Sequence, residues 1–280
     1  MCRIFSFRSV IKSQVHKSLV GTENALSIQS NYHSDGWGVA YYVQGVPHII
    51  KSIEAAVHDS IFQKISGVVS SETVVAHIRK ATLGSKNILN VHPFQFGKWV
   101  FVHNGNIENF AQHRRPLLAM VAPELRRFIL GQTDSEIMFY FILSHLRQHI
   151  SLSANNLSIK KVMSIVKQAV KKIIDIVGPC CVEEDGDSTK TYLTFVLTNG
   201  TTMLAHHGGK HLHYTTYKSH CIDRDTCPCF SFECENPSES GYINHLIFSS
   251  EKLAGDNIWL PMQQGQFIGV DQEMKLTIIE

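Results

Sequence analysis

The order of predicted secondary structure is the feature that most constrains the fold of this chain. Strand patterns fill the region from residue 2 to 103, helical patterns fill the middle, and strand patterns return after residue 181. Sheets and helices must each bury an apolar face against a neighbour, so this order predicts two packed sheets covered by helices, an α+β layered architecture. Because no Pro-, Gly- or Ser-rich linker separates the regions, we interpret residues 2–280 as a single domain.

The predicted strands are rich in β-branched and aromatic residues. In the first region they are CRIFSF, GWGVAYY (36–42), VPHIIKS, TVVAHIR (73–79) and WVFVH (99–103), interrupted by a helix-like segment at 53–66. In the last region they are YLTFVLTNG, TTMLAHH, HLHYTTY, HLIFSS, QFIGV and MKLTIIE. Turns that contain Gly, including Asn-Gly, connect several of them, as expected for antiparallel sheets.

Two helices are predicted in the middle of the chain. The first begins at Thr133, where TDSE matches a capping box, and continues through Leu146. The second lies between Asn156 and Gly178, where apolar residues repeat with helical spacing and lysines occupy the opposite face. Gly178-Pro179 is a typical helix stop.

Composition excludes several classes of function. The 26 basic and 24 acidic residues give a formal net charge of only +2, which does not provide the basic field that nucleic-acid binding requires. The start of the chain lacks a secretory apolar region, and no stretch approaches the roughly 20 apolar residues of a membrane span. We therefore expect a cytoplasmic protein that binds neither nucleic acid nor membrane.

Seven cysteines are an odd number in a chain without an export signal, so we interpret them as reduced thiols. His220 and four cysteines, 221, 227, 229 and 234, crowd one loop, but their spacing is not a paired C-x-x-C arrangement. Structural zinc there is the minority interpretation, and our prediction is that the protein holds no metal.

Cys2 is a candidate nucleophile because it directly follows Met1. A free cysteine is most often a small buried apolar residue, and that interpretation stays open for Cys2. Removal of Met1, however, would place a thiol and an α-amine on the same residue. An α-amine has a pKa near roughly 7.7 to 8.0, so it can act as the general base for its own side chain.

Other residues could complete an acyl-transfer site. Asn104 and Gly105 follow a predicted strand and could supply an amide group and a backbone N–H to an oxyanion, although Asn-Gly is also a turn signal. Arg79 at a strand end could bind a carboxylate, or be a solvated edge residue. Asp134 could bind an ammonium group, or simply complement the dipole of its helix.

Taken in order, six motifs resemble those of the class II glutamine amidotransferases, which are N-terminal nucleophile hydrolases, and in particular their stand-alone, YafJ-like type. The motifs are CRI (2–4), DGWG (35–38), HIRKAT (77–82), NVHPF (90–94), HNGN (103–106) and TDSE (133–136). A weaker resemblance continues through residues 248–267. The resemblance implies a four-layer αββα sandwich that hydrolyses the side-chain amide of glutamine.

The resemblance also implies a role for each matching residue. Cys2 matches the nucleophile and Asn104 with Gly105 the oxyanion hole. Arg79 matches the clamp for the glutamine α-carboxylate, Asp134 the partner of its α-ammonium group, and Thr82 a substrate-pocket residue. His77, His92 and Trp37 match stand-alone members, and we assign them at most a supporting role. This chain has leucine at position 83, where members fused to synthase domains have histidine. The difference concerns transfer of the ammonia to an acceptor more than cleavage of the amide.

The sequence therefore predicts cleavage of the γ-carboxamide of glutamine through a Cys2 thioester, without a cofactor. Two alternatives stay open. One is hydrolysis of other γ-glutamyl amides or peptides, as in ergothioneine synthesis or glutathione breakdown. The other is a catalytically silent regulatory subunit. The expected partners are glutamine or a γ-glutamyl small molecule, and a separate acceptor or synthase subunit if the ammonia is transferred.

Overall fold

Two antiparallel sheets form the centre of the protein, which is represented here by a computed structural model that describes residues 2–183, 186–187, 189–238 and 241–280. The strands are β1 (Arg3–Gln14), β2 (Trp37–Val43), β3 (Val46–Ser52), β4 (Ser70–Ile78), β5 (Phe94–Phe96), β6 (Trp99–Asn106), β7 (Tyr192–Thr198), β8 (Met203–His206), β9 (His213–Thr215), β10 (Gly241–Tyr242), β11 (His245–Ser249), β12 (Leu260–Pro261), β13 (Phe267–Val270) and β14 (Lys275–Ile279). Within the described residues, the first sheet has the order β12-β9-β11-β1-β4-β2-β3 and the second has the order β10-β14-β13-β8-β7-β6-β5.

Six α-helices cover the outer faces of these sheets in the described part of the chain. They are α1 (Leu26–Gln29), α2 (Ser60–Val68), α3 (Phe110–Met120), α4 (Pro123–Arg126), α5 (Asp134–Leu146) and α6 (Ile159–Val177). Helices α1 and α2 contribute to the apolar layer outside the first sheet, and α3 to α6 contribute to the layer outside the second. None of these helices is both long and apolar enough to cross a membrane.

The alternation of side chains along each strand produces the layers. In β6, Val100 and Val102 face the first sheet, whereas Trp99 and Phe101 face the helices. Helix α5 is buried along its whole length because it lies between the second sheet and the other helices. The order is thus helix, sheet, sheet, helix, and the predicted four-layer αββα sandwich is confirmed.

Most predicted elements are present. The short elements α1, α4, β5, β10 and β12 were not predicted, and three further differences have a physical reason. Only the second half of the helix-like segment at 53–66 is helical, because α2 begins after Asp59, whose carboxylate caps the Ile61 N–H at 2.9 Å. Helix α3 was not predicted, because it is weakly amphipathic and contains Pro116. The turn interpretation of Asn104-Gly105 is wrong, since both residues pair with β7.

The aromatic cluster between the second sheet and α5 yields a stability prediction. Phe101 is fully buried, and its ring lies 5.4 Å from Phe139 and 5.3 Å from Phe195. Phe101→Ala removes these contacts and leaves a cavity, so the free energy of unfolding should fall by about 3–5 kcal/mol. Unfolding in denaturant measures this free energy. The control is Phe232→Ala, at a residue that is 73% exposed, which should change the free energy of unfolding by less than about 0.5 kcal/mol.

A buried histidine yields a pH prediction. Burial lowers the pKa of His206 to about 4, and its Nδ1 donates to the Leu193 carbonyl at 2.8 Å. Between the unfolded value of roughly 6.5 and about 4, the unfolded chain binds the extra proton, so stability should fall as the pH falls. This histidine alone should contribute about 1.4 kcal/mol per pH unit in that interval. His206→Asn should reduce the measured slope by that amount, and an unchanged slope would contradict the assignment.

Candidate active site

The pairing of β1 with β4 places the candidate nucleophile. Arg3 lies opposite Ile78 and Ile4 lies opposite His77, so the antiparallel register brings Cys2 opposite Arg79, just beyond the strand ends. Ile4 faces the space between the sheets, and alternation puts the Cys2 side chain on the same inner face. The site therefore lies at one end of the core between the two sheets.

The Cys2 thiol is almost buried, with 9% of the residue exposed. Its sulfur lies 3.4 Å from both the carbonyl oxygen and the amide nitrogen of Lys80. Burial raises the pKa of the thiol, although the Lys80 amide, the positive charge of the chain terminus and the Arg79 guanidinium act in the opposite direction. The resting group is thus the neutral thiol, and a base is needed to activate it.

The Arg79 guanidinium is buried, with 3% of the residue exposed. It donates to the carbonyl of Leu83 at 2.8 Å, to that of Gly84 at 3.3 Å and to that of Ser85 at 3.5 Å. No carboxylate of the described residues lies within 4.0 Å of it, and burial lowers its pKa. A buried cation without a paired anion is costly unless a ligand provides one.

Asp134 is the first residue of α5 and is equally buried. One carboxylate oxygen accepts the Ile107 N–H at 2.7 Å, and the other accepts the N–H of Ser135 at 2.7 Å. No lysine or arginine of the described residues approaches within 4.0 Å of it. The carboxylate therefore holds the end of β6 against α5 and lies within the site.

Gly105 has a backbone geometry that suits an oxyanion donor. It lies opposite Leu193 of β7. The Leu193 N–H points away from β6 and donates to the Gly208 carbonyl, so Gly105 and Leu193 form a pair with no backbone hydrogen bonds between them. The Gly105 N–H consequently points away from β7, on the side where β5 has already ended. A side chain at Gly105 is excluded, because a Cβ atom would lie 2.0 Å from the Tyr192 carbonyl oxygen.

Asn104 precedes this glycine and faces the space between the sheets, as Val100 and Val102 do. The residue is 3% exposed, and no described group forms a hydrogen bond with its side-chain oxygen. Its amide is thus held in a buried position beside Gly105 without being consumed by a protein contact.

Two polar side chains fix the loop of residues 80–85 over the site. The Asp35 carboxylate accepts the Ala81 N–H at 2.9 Å. Asn90 donates to the Ser85 carbonyl at 3.0 Å and accepts the Gln132 N–H at 2.8 Å, so it joins this loop to the segment before α5. These contacts give Asp35 of the motif DGWG and Asn90 of the motif NVHPF a structural role beside the site.

Three buried histidines lie beside the site. His103 Nε2 donates to the Tyr192 carbonyl at 2.9 Å, and its Nδ1 lies 2.9 Å from the Ser135 hydroxyl. His77 Nε2 donates to the His103 carbonyl at 3.1 Å, and the ring of His92 lies 4.2 Å from that of His77. Burial lowers the pKa of each, to about 3 for His77, so all three are neutral at physiological pH.

The structure brings the predicted residues together around one narrow cavity. Its lining consists of Cys2, residues 79–83, His92, His103, Gly105, Thr133, Asp134 and Ser135. Thr82 lies on the exposed covering loop, and Asn104 is adjacent to Gly105. Trp37 is not part of the cavity, because its indole packs on Phe62 outside the first sheet and donates to Asp59 at 3.0 Å.

The sequence did not indicate the contributions of Lys80, Ser135 and Tyr192. Lys80 and Tyr192 act through backbone atoms, which leave no signal in the residue type. Ser135 occupies a position of the capping box at which any residue is allowed, so its residue type carries no signal. Only the three-dimensional pairing of β6 with β7 shows that the Tyr192 carbonyl both holds His103 and requires glycine at 105.

Two other regions of the protein are weaker candidates for the active site. A larger surface cleft of about 530 Å³ lies beside α4 and the end of α5, but its lining contains neither cysteine nor histidine. Within the described residues, no group of three or more His, Cys, Asp or Glu side chains could hold a metal ion, and the loop of residues 220–234 is included in that statement.

Comparison with known proteins identifies the family. The family described as class II glutamine amidotransferases matches residues 1–277, so the chain belongs to this family. A putative glutamine amidotransferase of Haemophilus influenzae is 27% identical over 278 residues, which cover 96% of this chain and 83% of that protein. The probable glutamine amidotransferase DUG3 of Saccharomyces cerevisiae is 29% identical over 61% of this chain, which spans about half of that relative (50%).

The fold is shared with solved structures at low sequence identity. The glutamine aminotransferase class-II domain protein from Silicibacter pomeroyi superimposes with a TM-score of 0.63 at 16% identity, covering 100% of this chain and 99% of that one. At this identity the likeness concerns the fold.

Gly105→Ala tests the close backbone approach in the site. The added methyl group would meet the Tyr192 carbonyl at 2.0 Å and His103 Nε2 at 2.2 Å, so β6 and β7 would have to separate. We expect destabilisation by more than about 1–3 kcal/mol, the usual cost of overpacking. In contrast, Gly67→Ala in α2, where a Cβ meets nothing within 4 Å, should stabilise the protein by roughly 0.5–1 kcal/mol. Thermal unfolding of the two variants makes the comparison, and equal effects would contradict it.

Proposed function

We propose that this protein is a glutaminase-type amidohydrolase that cleaves the γ-carboxamide of glutamine through a thioester on Cys2. The observation that carries the proposal is one cavity lined by a thiol, a buried arginine without a carboxylate partner and a buried aspartate without a lysine or arginine partner. Only a zwitterionic ligand would compensate both charges at once. Membership of the class II glutamine amidotransferases supports glutamine as that ligand.

The two buried charges would bind the two ends of an amino acid. The α-carboxylate would pair with the Arg79 guanidinium, and the α-ammonium group would pair with the Asp134 carboxylate. Both groups lie near Cys2, so the side chain of the bound amino acid would extend toward the thiol. The cavity is narrow and the loop of residues 80–85 covers it, so we expect this loop to move for the substrate to enter.

The mechanism that we propose begins after removal of Met1. The Cys2 thiol gives its proton to the free α-amine, directly or through a water, and the thiolate attacks the carbonyl carbon of the side-chain amide. The oxyanion accepts hydrogen bonds from the Asn104 amide and the Gly105 N–H. The intermediate then collapses, and ammonia leaves with a proton from the α-ammonium group.

Water completes the cycle. The α-amine takes a proton from the water as it attacks the γ-glutamyl thioester, and glutamate leaves as the thiol is restored. These steps use only groups of the protein and substrate. Cleavage alone is proposed, because transfer of the ammonia would require an acceptor site that none of these residues provides; a separate acceptor or synthase subunit is the partner expected in that case.

Cys2→Ala tests the proposed nucleophile. Release of glutamate from glutamine should fall to the background rate, because no other described cysteine lines the cavity. Cys229→Ala, at an exposed thiol, is the matched control and should retain full activity. The same assay with γ-glutamyl amides and peptides separates the substrate alternatives, and activity that survives in Cys2→Ala would rule out the nucleophile.

A wild-type protein that cleaves none of these compounds would support the silent-subunit alternative. Intact mass measured on the same sample shows whether Met1 is absent, as the mechanism requires.

A further inference from the structure

His92 is a buried polar side chain that the proposed mechanism does not use. The residue is 4% exposed and lines the same cavity as Cys2. Neither of its ring nitrogens has a hydrogen-bond partner among the described residues. A buried polar group without a partner is costly, so its presence in a substrate cavity indicates a contact with the ligand.

The position of His92 indicates which part of the substrate it would contact. Along β4, Arg79 lies at the strand end and His77 lies two residues further in, which is roughly 7 Å deeper between the sheets. The His92 ring packs against that of His77 at a centroid distance of 4.2 Å, tilted by 34°, and contacts Phe94 edge-on at 4.6 Å. His92 thus lines the cavity beside His77, which lies deeper between the sheets than Arg79.

We infer that the His92 imidazole binds the nitrogen of the scissile amide and the amine that leaves from it. The inference rests on the proposed function and extends it, since it assigns the residue that distinguishes leaving groups. The substrate carbon chain would run from Arg79 and Asp134 past Cys2, and only the leaving nitrogen would extend beyond the thiol toward His92.

The chemistry of a neutral imidazole fits this role. Burial lowers the pKa of His92 well below its ordinary value, and the neighbouring His77, His103, Lys51 and Arg79 act in the same direction. The ring therefore keeps one N–H donor and one bare nitrogen acceptor. A primary amide nitrogen can donate to the bare nitrogen, and ammonia can both donate and accept.

The test separates loss of this contact from structural damage. His92→Phe keeps a planar ring against His77 and Phe94 but removes both nitrogens. We expect kcat/KM for glutamine to fall at least about tenfold, the effect of one lost hydrogen bond to a buried group. The chloroketone analogue of glutamine should still label Cys2 at the wild-type rate, because the thiol displaces chloride and no amide nitrogen leaves. The melting temperature should be equal or higher, since two unpartnered nitrogens are replaced by carbon.

The outcomes are distinguishable. If the wild-type protein neither cleaves a γ-glutamyl amide nor reacts with the chloroketone, the proposed function fails. If the wild type does both and His92→Phe retains its glutamine kcat/KM, or loses labelling and hydrolysis equally, the inference about His92 fails.

His92→Gln is the second variant if His92→Phe does not fold. Its amide restores a donor and an acceptor, so we expect partial recovery of glutamine hydrolysis relative to His92→Ala. Equal rates for His92→Gln and His92→Ala, with normal labelling in both, would also overturn the inference.

Discussion

The antiparallel pairing of β1 with β4 is the constraint on which the rest of the site depends. It sets Cys2 opposite Arg79 and turns both side chains into the space between the sheets. The second sheet then supplies Asn104 and Gly105 from β6, and α5 supplies Asp134 at its first residue. A shift of this register by one residue would turn Cys2 toward the outer face and remove it from the cavity.

Burial away from solvent determines the chemical properties of these groups. The thiol, the guanidinium and the carboxylate are each almost removed from solvent, and the nearby histidines are held neutral. Each hydrogen bond or ion pair that a substrate forms there is stronger than in water, because the surrounding dielectric is low. The same burial costs stability, which the aromatic and aliphatic core between the second sheet and α5 must offset.

The sequence predicted much of this arrangement, for identifiable reasons. Helix α6 and the capping box before α5 were recognisable because their signals are local, and the family motifs indicated Cys2, Arg79 and Asp134. Asn104-Gly105 was ambiguous from the sequence, since the same dipeptide suits a turn and an oxyanion hole. The pairing with β7 excludes the turn, and the oxyanion-hole role is a proposal. The backbone contacts of Lys80 and Tyr192, and the unpartnered nitrogens of His92, depend on tertiary structure that no local pattern encodes.

The most direct measurement is mass spectrometry of the protein quenched in acid during turnover of glutamine, followed by peptide mapping. We predict an amino terminus that begins at Cys2 and a γ-glutamyl group attached to that residue. An active protein that retains Met1, or a glutamyl adduct on any other cysteine, would contradict the account.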